Sequence, residues 1–221
     1  IPLVIEEGTA LLEFDSDSVE NIGLLKEPLS KGHKLIIVAN HQSQGDVGPM
    51  VFVANAVRQE LSSEIEGYDF FVAKTMGGGQ QGKLVQTLYS NGINPWLERY
   101  NITPLEVVSD NDVASRGVSK DRVAMFAAVR ALKKEHRGIL MFPEGTTTGG
   151  KENESGELNG VGRMSDSSEE LIKYIVENAM PTVFLPVGTD GTYELFDPDT
   201  KNFTSLGLRM ISAQIAYRIQ G

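Results

Sequence analysis

His41 and Asp46 are the residues whose types and spacing most directly suggest chemistry. They stand in Asn40-His41-Gln42-Ser43-Gln44-Gly45-Asp46, with four residues between them. An imidazole takes up a proton near neutral pH. It does so best when a carboxylate holds its second ring nitrogen and stabilises the cation that forms. Four intervening residues let a loop turn back so that the two side chains meet. Of the 3 histidines, His33, His41 and His136, His41 has the best carboxylate neighbour. On spacing alone, such a pair is more often a structural loop contact than a catalytic pair.

A second group of interest is Phe142-Pro143-Glu144-Gly145-Thr146. A strand ends, a proline stops the pairing, and a glycine permits close backbone approach. Glu144 and Thr146 are then expected to face the rim of a sheet. Taken alone, this is also an ordinary strand-to-turn sequence. A third group is Gly77-Gly78-Gly79-Gln80-Gln81-Gly82-Lys83, which fits a phosphate-cradling loop after a strand and before a helix. Leu84 stands where a hydroxyl should ligate magnesium, and Val107-Val108-Ser109-Asp110 is a weak partner strand. A loop near the site, or a backbone nest for a substrate phosphate, is the stronger reading there.

Composition removes several alternatives. The chain of 221 residues is 40% hydrophobic and 23% charged, which suits one large globular domain. It has no cysteine, so disulfides, thiolate zinc sites and a cysteine nucleophile are excluded. Three scattered histidines do not make a histidine metal site, and no Gly-x-Ser-x-Gly elbow is present. A net charge of -10 argues against a general nucleic-acid binder. Arg116, Lys120, Arg122, Arg130, Lys133, Lys134 and Arg137 form one basic stretch, against Asp121 and Glu135. It reads first as a solvated helix face and second as a place to hold an anion. No apolar run approaches the roughly 20 residues needed to span a bilayer. No signal peptide is expected, because the apolar start meets Glu6 and Glu7. The chain opens on Ile1 rather than Met, which leaves an N-terminal anchor or a further domain open.

The elements that must position these residues are legible as apolar runs. Residues 35–39, 70–73, 138–142 and 182–187 are nearly continuous apolar stretches, as buried strands require. Between them the pattern is helical at residues 47–61, at Met125, Val129 and Leu132, and at Leu171, Ile172, Ile175 and Val176. Asp166 and Ser168 are suitable N-caps for the last of these. Alternating strands and helices predict an α/β fold, a mostly parallel central sheet flanked by helices on both faces. Sites in such sheets gather beyond the carboxyl ends of strands. His41, Lys74 and Glu144 each follow a predicted strand closely, so three strand ends would deliver polar groups to one rim. Residues 147–168 read as a long loop, and residues 92–119, with Pro95, Trp96 and Pro104, give no clear element.

Two of these groups together resemble the blocks of the glycerolipid acyltransferase family, whose members acylate glycerol 3-phosphate or 1-acylglycerol 3-phosphate. Asn40, His41 and Asp46 match its Asn-His-x4-Asp block, and Phe142 to Thr146 match its Phe-Pro-Glu-Gly-Thr block in full. Val183-Phe184-Leu185-Pro186-Val187 is similar to its last, proline-containing strand, and Val113-Ala114-Ser115-Arg116-Gly117 loosely resembles the block that ends in arginine. Many members carry an arginine after the threonine, taken to hold the phosphate. Here Thr147 and Thr148 follow instead, so Arg116, Lys74 or Arg122 would have to supply that charge.

The resemblance covers residues 35 to about 190, and with a length that fits one domain, residues 1–221 are expected to form a single acyltransferase domain. Its donor would be acyl-CoA or acyl carrier protein, and its acceptor a hydroxyl of glycerol phosphate or a lysophospholipid. It implies His41 as general base, Asp46 as its orienter, and Lys74, Arg116, Glu144, Gly145 and Thr146 as substrate-binding residues. No cofactor, metal or nucleic acid is expected. The implied setting is cytoplasmic or organelle-stromal, with a peripheral membrane contact open. A phosphate- or nucleotide-binding protein built on Gly77–Lys83 is the competing class, and a membrane-surface module without catalysis is a third.

Overall fold

The computed structural model describes residues 4–5, 9–10, 16–41, 46–73, 94–107, 129–144, 164, 166–178, 180–188, 196–197 and 202–203. In chain order the strands are β1 (Val4–Ile5), β2 (Thr9–Ala10), β3 (Lys34–Ala39), β4 (Gly67–Ala73), β5 (Ile102–Val107), β6 (Arg137–Met141), β7 (Thr182–Val187), β8 (Phe196–Asp197) and β9 (Asn202–Phe203). The helices are α1 (Ser16–Leu24), α2 (Lys26–Ser30), α3 (Val47–Glu60), α4 (Asn94–Arg99) and α5 (Asp166–Glu177). Residues 129–132 are also helical.

Five strands form one all-parallel sheet in the order β5-β4-β6-β3-β7. Two antiparallel pairs, β1 with β2 and β8 with β9, lie outside it. The order inserts β6 between β3 and β4, so the latest-arriving inner strand becomes the centre of the sheet. Both edge strands carry a proline, Pro104 in β5 and Pro186 in β7. A residue without an N–H is tolerated where one side of the strand has no partner.

The strands are apolar throughout because both faces of the sheet are covered. Leu35 and Ile37 of β3 point into one core with Met50, Val51, Ala54 and Val57 of α3, Leu29 of α2 and Leu97 of α4. Ile36 points the other way, into a second core with Ile139, Met141, Ala131, Leu132, Leu171 and Ile175. Leu35, Ile36 and Ile37 are fully buried, and each such side chain contributes roughly 1.5–3 kcal/mol relative to exposure. The predicted α/β architecture and helix placement on both faces are therefore what the chain adopts.

Local sequence sets the entry into β3. After α2, the N–H of Gly32 donates to the carbonyl of Leu29 at 2.9 Å, and that of His33 to Pro28 at 3.1 Å. Gly32 sits at φ 82. This is the paired closure that ends a helix through a left-handed residue, and glycine adopts that conformation without strain.

The amino ends of the strands are tied by charge. Asp69 of β4 is fully buried, with Lys134 Nζ at 2.9 and 2.8 Å from its two oxygens and Arg137 Nη2 at 3.3 Å. Arg137 also donates to Thr103 Oγ1 at 2.9 Å and to the carbonyl of Tyr68. A carboxylate taken out of water needs such partners, and here they clamp β4, β5 and β6 at the end away from the carboxyl rim.

The segment 92–119, which gave no element from sequence, contains α4 and β5. Pro95 lies in the first turn of α4, where a missing N–H costs nothing. The Leu171 to Val176 stripe falls on α5, which begins at Asp166. Of the expected Met125, Val129 and Leu132 stripe, Val129 and Leu132 are helical, and Met125 lies outside the described residues.

Candidate active site

His41 follows β3 by two residues and Glu144 follows β6 by three. These strands are neighbours in parallel register, with Ile36 opposite Ile139 and Val38 opposite Met141. Extending that register places His41 level with Glu144. The main-chain N–H of His41 donates to Glu144 Oε1 at 2.9 Å, across 103 residues of sequence. The two sequence groups thus meet because their strands pair.

Asp46 comes from the other side. It occupies the N-cap position of α3, yet its side chain makes no capping hydrogen bond. An aspartate there usually accepts from the first turn of its own helix. Instead, Oδ2 lies 3.1 Å from His41 Nδ1. The carboxylate is fully buried and His41 is 8% exposed. An ionised carboxylate only accepts, and opposite one Nδ1 would hold the proton and leave Nε2 as the basic nitrogen. The first-turn N–H groups of α3 favour negative charge at the same spot.

A third contact acts on the ring itself. The Phe142 ring stacks on the His41 imidazole with centroids 4.1 Å apart and planes 8° from parallel. Phe70 of β4 meets Phe142 edge to face at 5.8 Å. Strand β4 and the segments just beyond its sheet neighbours β6 and β3 therefore each contribute one ring to a column ending at His41. The sequence places Phe142 inside a recognisable block without giving it a task, and Phe70 only as a core residue. The signal that would find them is the register of β6 with both β3 and β4, which needs the sheet order.

Glu144 is 7% exposed rather than open on the rim. One of its oxygens is engaged by His41, and Oε2 is buried with no hydrogen-bond partner among the described residues. An unmatched buried carboxylate oxygen costs free energy, and a donor supplied by a bound substrate would satisfy it.

The structure brings together His41, Asp46 and Glu144 of the expected site. Lys74, Arg116, Gly145 and Thr146 lie outside the described residues, as do Gly77–Lys83, Arg122 and Thr147. Among the described residues, no group of three or more potential ligands could hold a metal ion. None of the described helices is long and apolar enough to cross a membrane.

No curated protein and no solved structure matches the chain. The profile of the family described as Acyltransferase matches residues 24–187, from the end of α1 to the last residue of β7. That span takes in the whole parallel sheet and both strand ends that meet at His41. Most of the chain is covered, in a single match that runs through every part of the site, and the chain belongs to the Acyltransferase family.

Proposed function

We propose that this acyltransferase moves a fatty acyl group from a thioester to a hydroxyl of glycerol 3-phosphate or of a lysophospholipid. The donor is acyl-CoA or acyl carrier protein. The observation that carries the reading is the buried contact of His41 Nδ1 with Asp46 Oδ2 at 3.1 Å, at the carboxyl end of two central parallel strands.

The chemistry follows from that contact. His41 Nε2 takes the proton of the acceptor hydroxyl as its oxygen bonds to the thioester carbonyl carbon. Asp46 holds the ring and stabilises the imidazolium. The tetrahedral oxyanion collapses, the carbon–sulfur bond breaks, and the imidazolium returns its proton to the departing thiolate. The acceptor attacks directly, without a covalent acyl-enzyme. Glu144 Oε2 accepts a hydrogen bond from the acceptor. Thr146 shapes the acceptor's surroundings, backbone amides near Gly145 stabilise the oxyanion, and Lys74 with Arg116 hold the phosphate.

The test is an acyl-transfer assay with glycerol 3-phosphate and a lysophospholipid panel, each against both donors. Wild type should acylate at least one acceptor. His41→Ala should lose on the order of 10²–10⁴-fold in kcat with the fold intact. A fully active His41→Ala protein would sink the mechanism.

A further inference from the structure

We infer that Phe142 is a positioning residue for proton transfer, fixing the plane of the His41 imidazole through a face-to-face stack that Phe70 supports from behind. The inference rests on the general-base reading of His41 given above.

Proton transfer depends on the tilt of the imidazole plane, because the tilt decides where Nε2 points. The hydrogen bond between Nδ1 and Asp46 sets the direction of one ring atom. The imidazole turns about its Cβ–Cγ bond, a soft torsion, and such a turn tilts the plane and displaces Nε2. The main-chain bond to Glu144 fixes where the side chain starts, not how it is turned. A surface against the flat face of the ring opposes that turn. Phe142 supplies that surface at a centroid distance of 4.1 Å and an interplanar angle of 8°. A surface that itself rotated would be a poor stop. Phe70 is 2% exposed and braces Phe142 at 5.8 Å with a 73° interplanar angle, which resists tilting.

The stack has a second consequence. The face of a phenyl ring carries negative charge density and attracts a cation above it. As His41 becomes imidazolium, the face already in contact favours the charged form. Contacts that strengthen as the transition state forms raise kcat rather than lower KM.

Phe142→Leu, Phe142→Met and Phe142→Tyr test the assignment. In proton NMR, the His41 ring protons, identified by their loss in His41→Ala, should resonate upfield in wild type because they lie over an aromatic face. They should move downfield in Phe142→Leu and stay shielded in Phe142→Tyr. In the acylation assay, Phe142→Leu should lose about 10- to 100-fold in kcat, with KM for donor and acceptor both held within about twofold. Phe142→Tyr should recover most of that loss. Phe142→Met, also without a ring, reads the same way should the leucine variant not fold. Unmoved His41 resonances in the ringless variant, or its turnover at the wild-type rate, overturns the assignment. Wild-type turnover by His41→Ala is a different failure, because it removes the base itself and leaves the resonance test of the stack standing.

Discussion

The main-chain N–H of His41 and the carboxylate of Glu144 meet at 2.9 Å because β3 and β6 pair in parallel at a constant offset of 103 residues. The carboxylate therefore stands at the root of the imidazole, not only at the edge of a substrate site. Glu144→Gln keeps an oxygen that can accept the N–H, and Glu144→Ala does not. The alanine variant should lose roughly 100-fold in kcat, a loss expected of a small misplacement of the base. The glutamine variant should lose less than about tenfold. Steady-state kinetics on both substrates checks this. Equal losses in the two variants would show that the charge of Glu144, rather than its hold on His41, is what turnover needs.

Asp46 is fully buried and spends its carboxylate on His41 instead of capping α3. Asp46→Asn preserves shape and volume but offers an amide that can donate as well as accept. The ring can then take the wrong tautomer, with its proton on Nε2. We expect kcat to fall by about 10²–10⁴-fold with little change in thermal stability, because no helix cap is lost. Circular dichroism melting alongside kinetics separates the two effects. Activity within a few-fold of wild type would remove Asp46 from the mechanism.

How much of this is legible in the sequence follows from where the information lies. Four strands announced themselves as apolar runs because a parallel sheet buried on both faces needs them. The strand β5 did not, because Pro104 and Glu106 interrupt its run, and only an edge position with one neighbour tolerates such a sequence. His41 and Asp46 were legible as a pair because they are close in sequence. The Glu144 contact and the Phe70–Phe142–His41 column were not, because each joins residues on different strands. Sheet order brings those together, and no local pattern encodes it.

Tyr68 gives a prediction about stability and pH. Its side chain is fully buried in the core, and its hydroxyl has no hydrogen-bond partner among the described residues. Burial pushes its ionisation well above the usual tyrosine value, an effect that the nearby Arg58 charge only partly offsets. Above about pH 10 the unfolded chain releases this proton and the folded one keeps it. The unfolded state then binds fewer protons, so stability falls as pH rises, approaching about a tenfold loss in the folding equilibrium per pH unit. Tyr68→Phe removes this pH dependence and the unmatched hydroxyl together. It should be at least as stable at pH 7, by up to about 2 kcal/mol, and should lose less stability between pH 9 and 11. Urea unfolding across that range measures both, and parallel pH curves for the two proteins would refute the role of Tyr68.

Gly138 sits opposite Tyr68 in the register of β6 with β4, and the tyrosine ring fills the space a side chain would need. A Cβ there would lie 2.8 Å from Tyr68 Cδ1, 2.9 Å from Cε1 and 3.2 Å from the carbonyl oxygen of Leu35. The ring is buried and cannot swing into solvent, so relief requires β6 to shift. Gly138→Ala should cost about 1–3 kcal/mol, the usual penalty of overpacking. β6 also carries Phe142 and Glu144 just beyond its end, so a shift of the strand reaches the base. We expect kcat to fall along with the unfolding midpoint. In a Tyr68→Val background the obstacle is smaller, and Gly138→Ala should cost less by about 1 kcal/mol, an interaction energy readable from a double-mutant cycle. Strict additivity in that cycle would mean that the Leu35 carbonyl, not the ring, is what reserves this position for glycine.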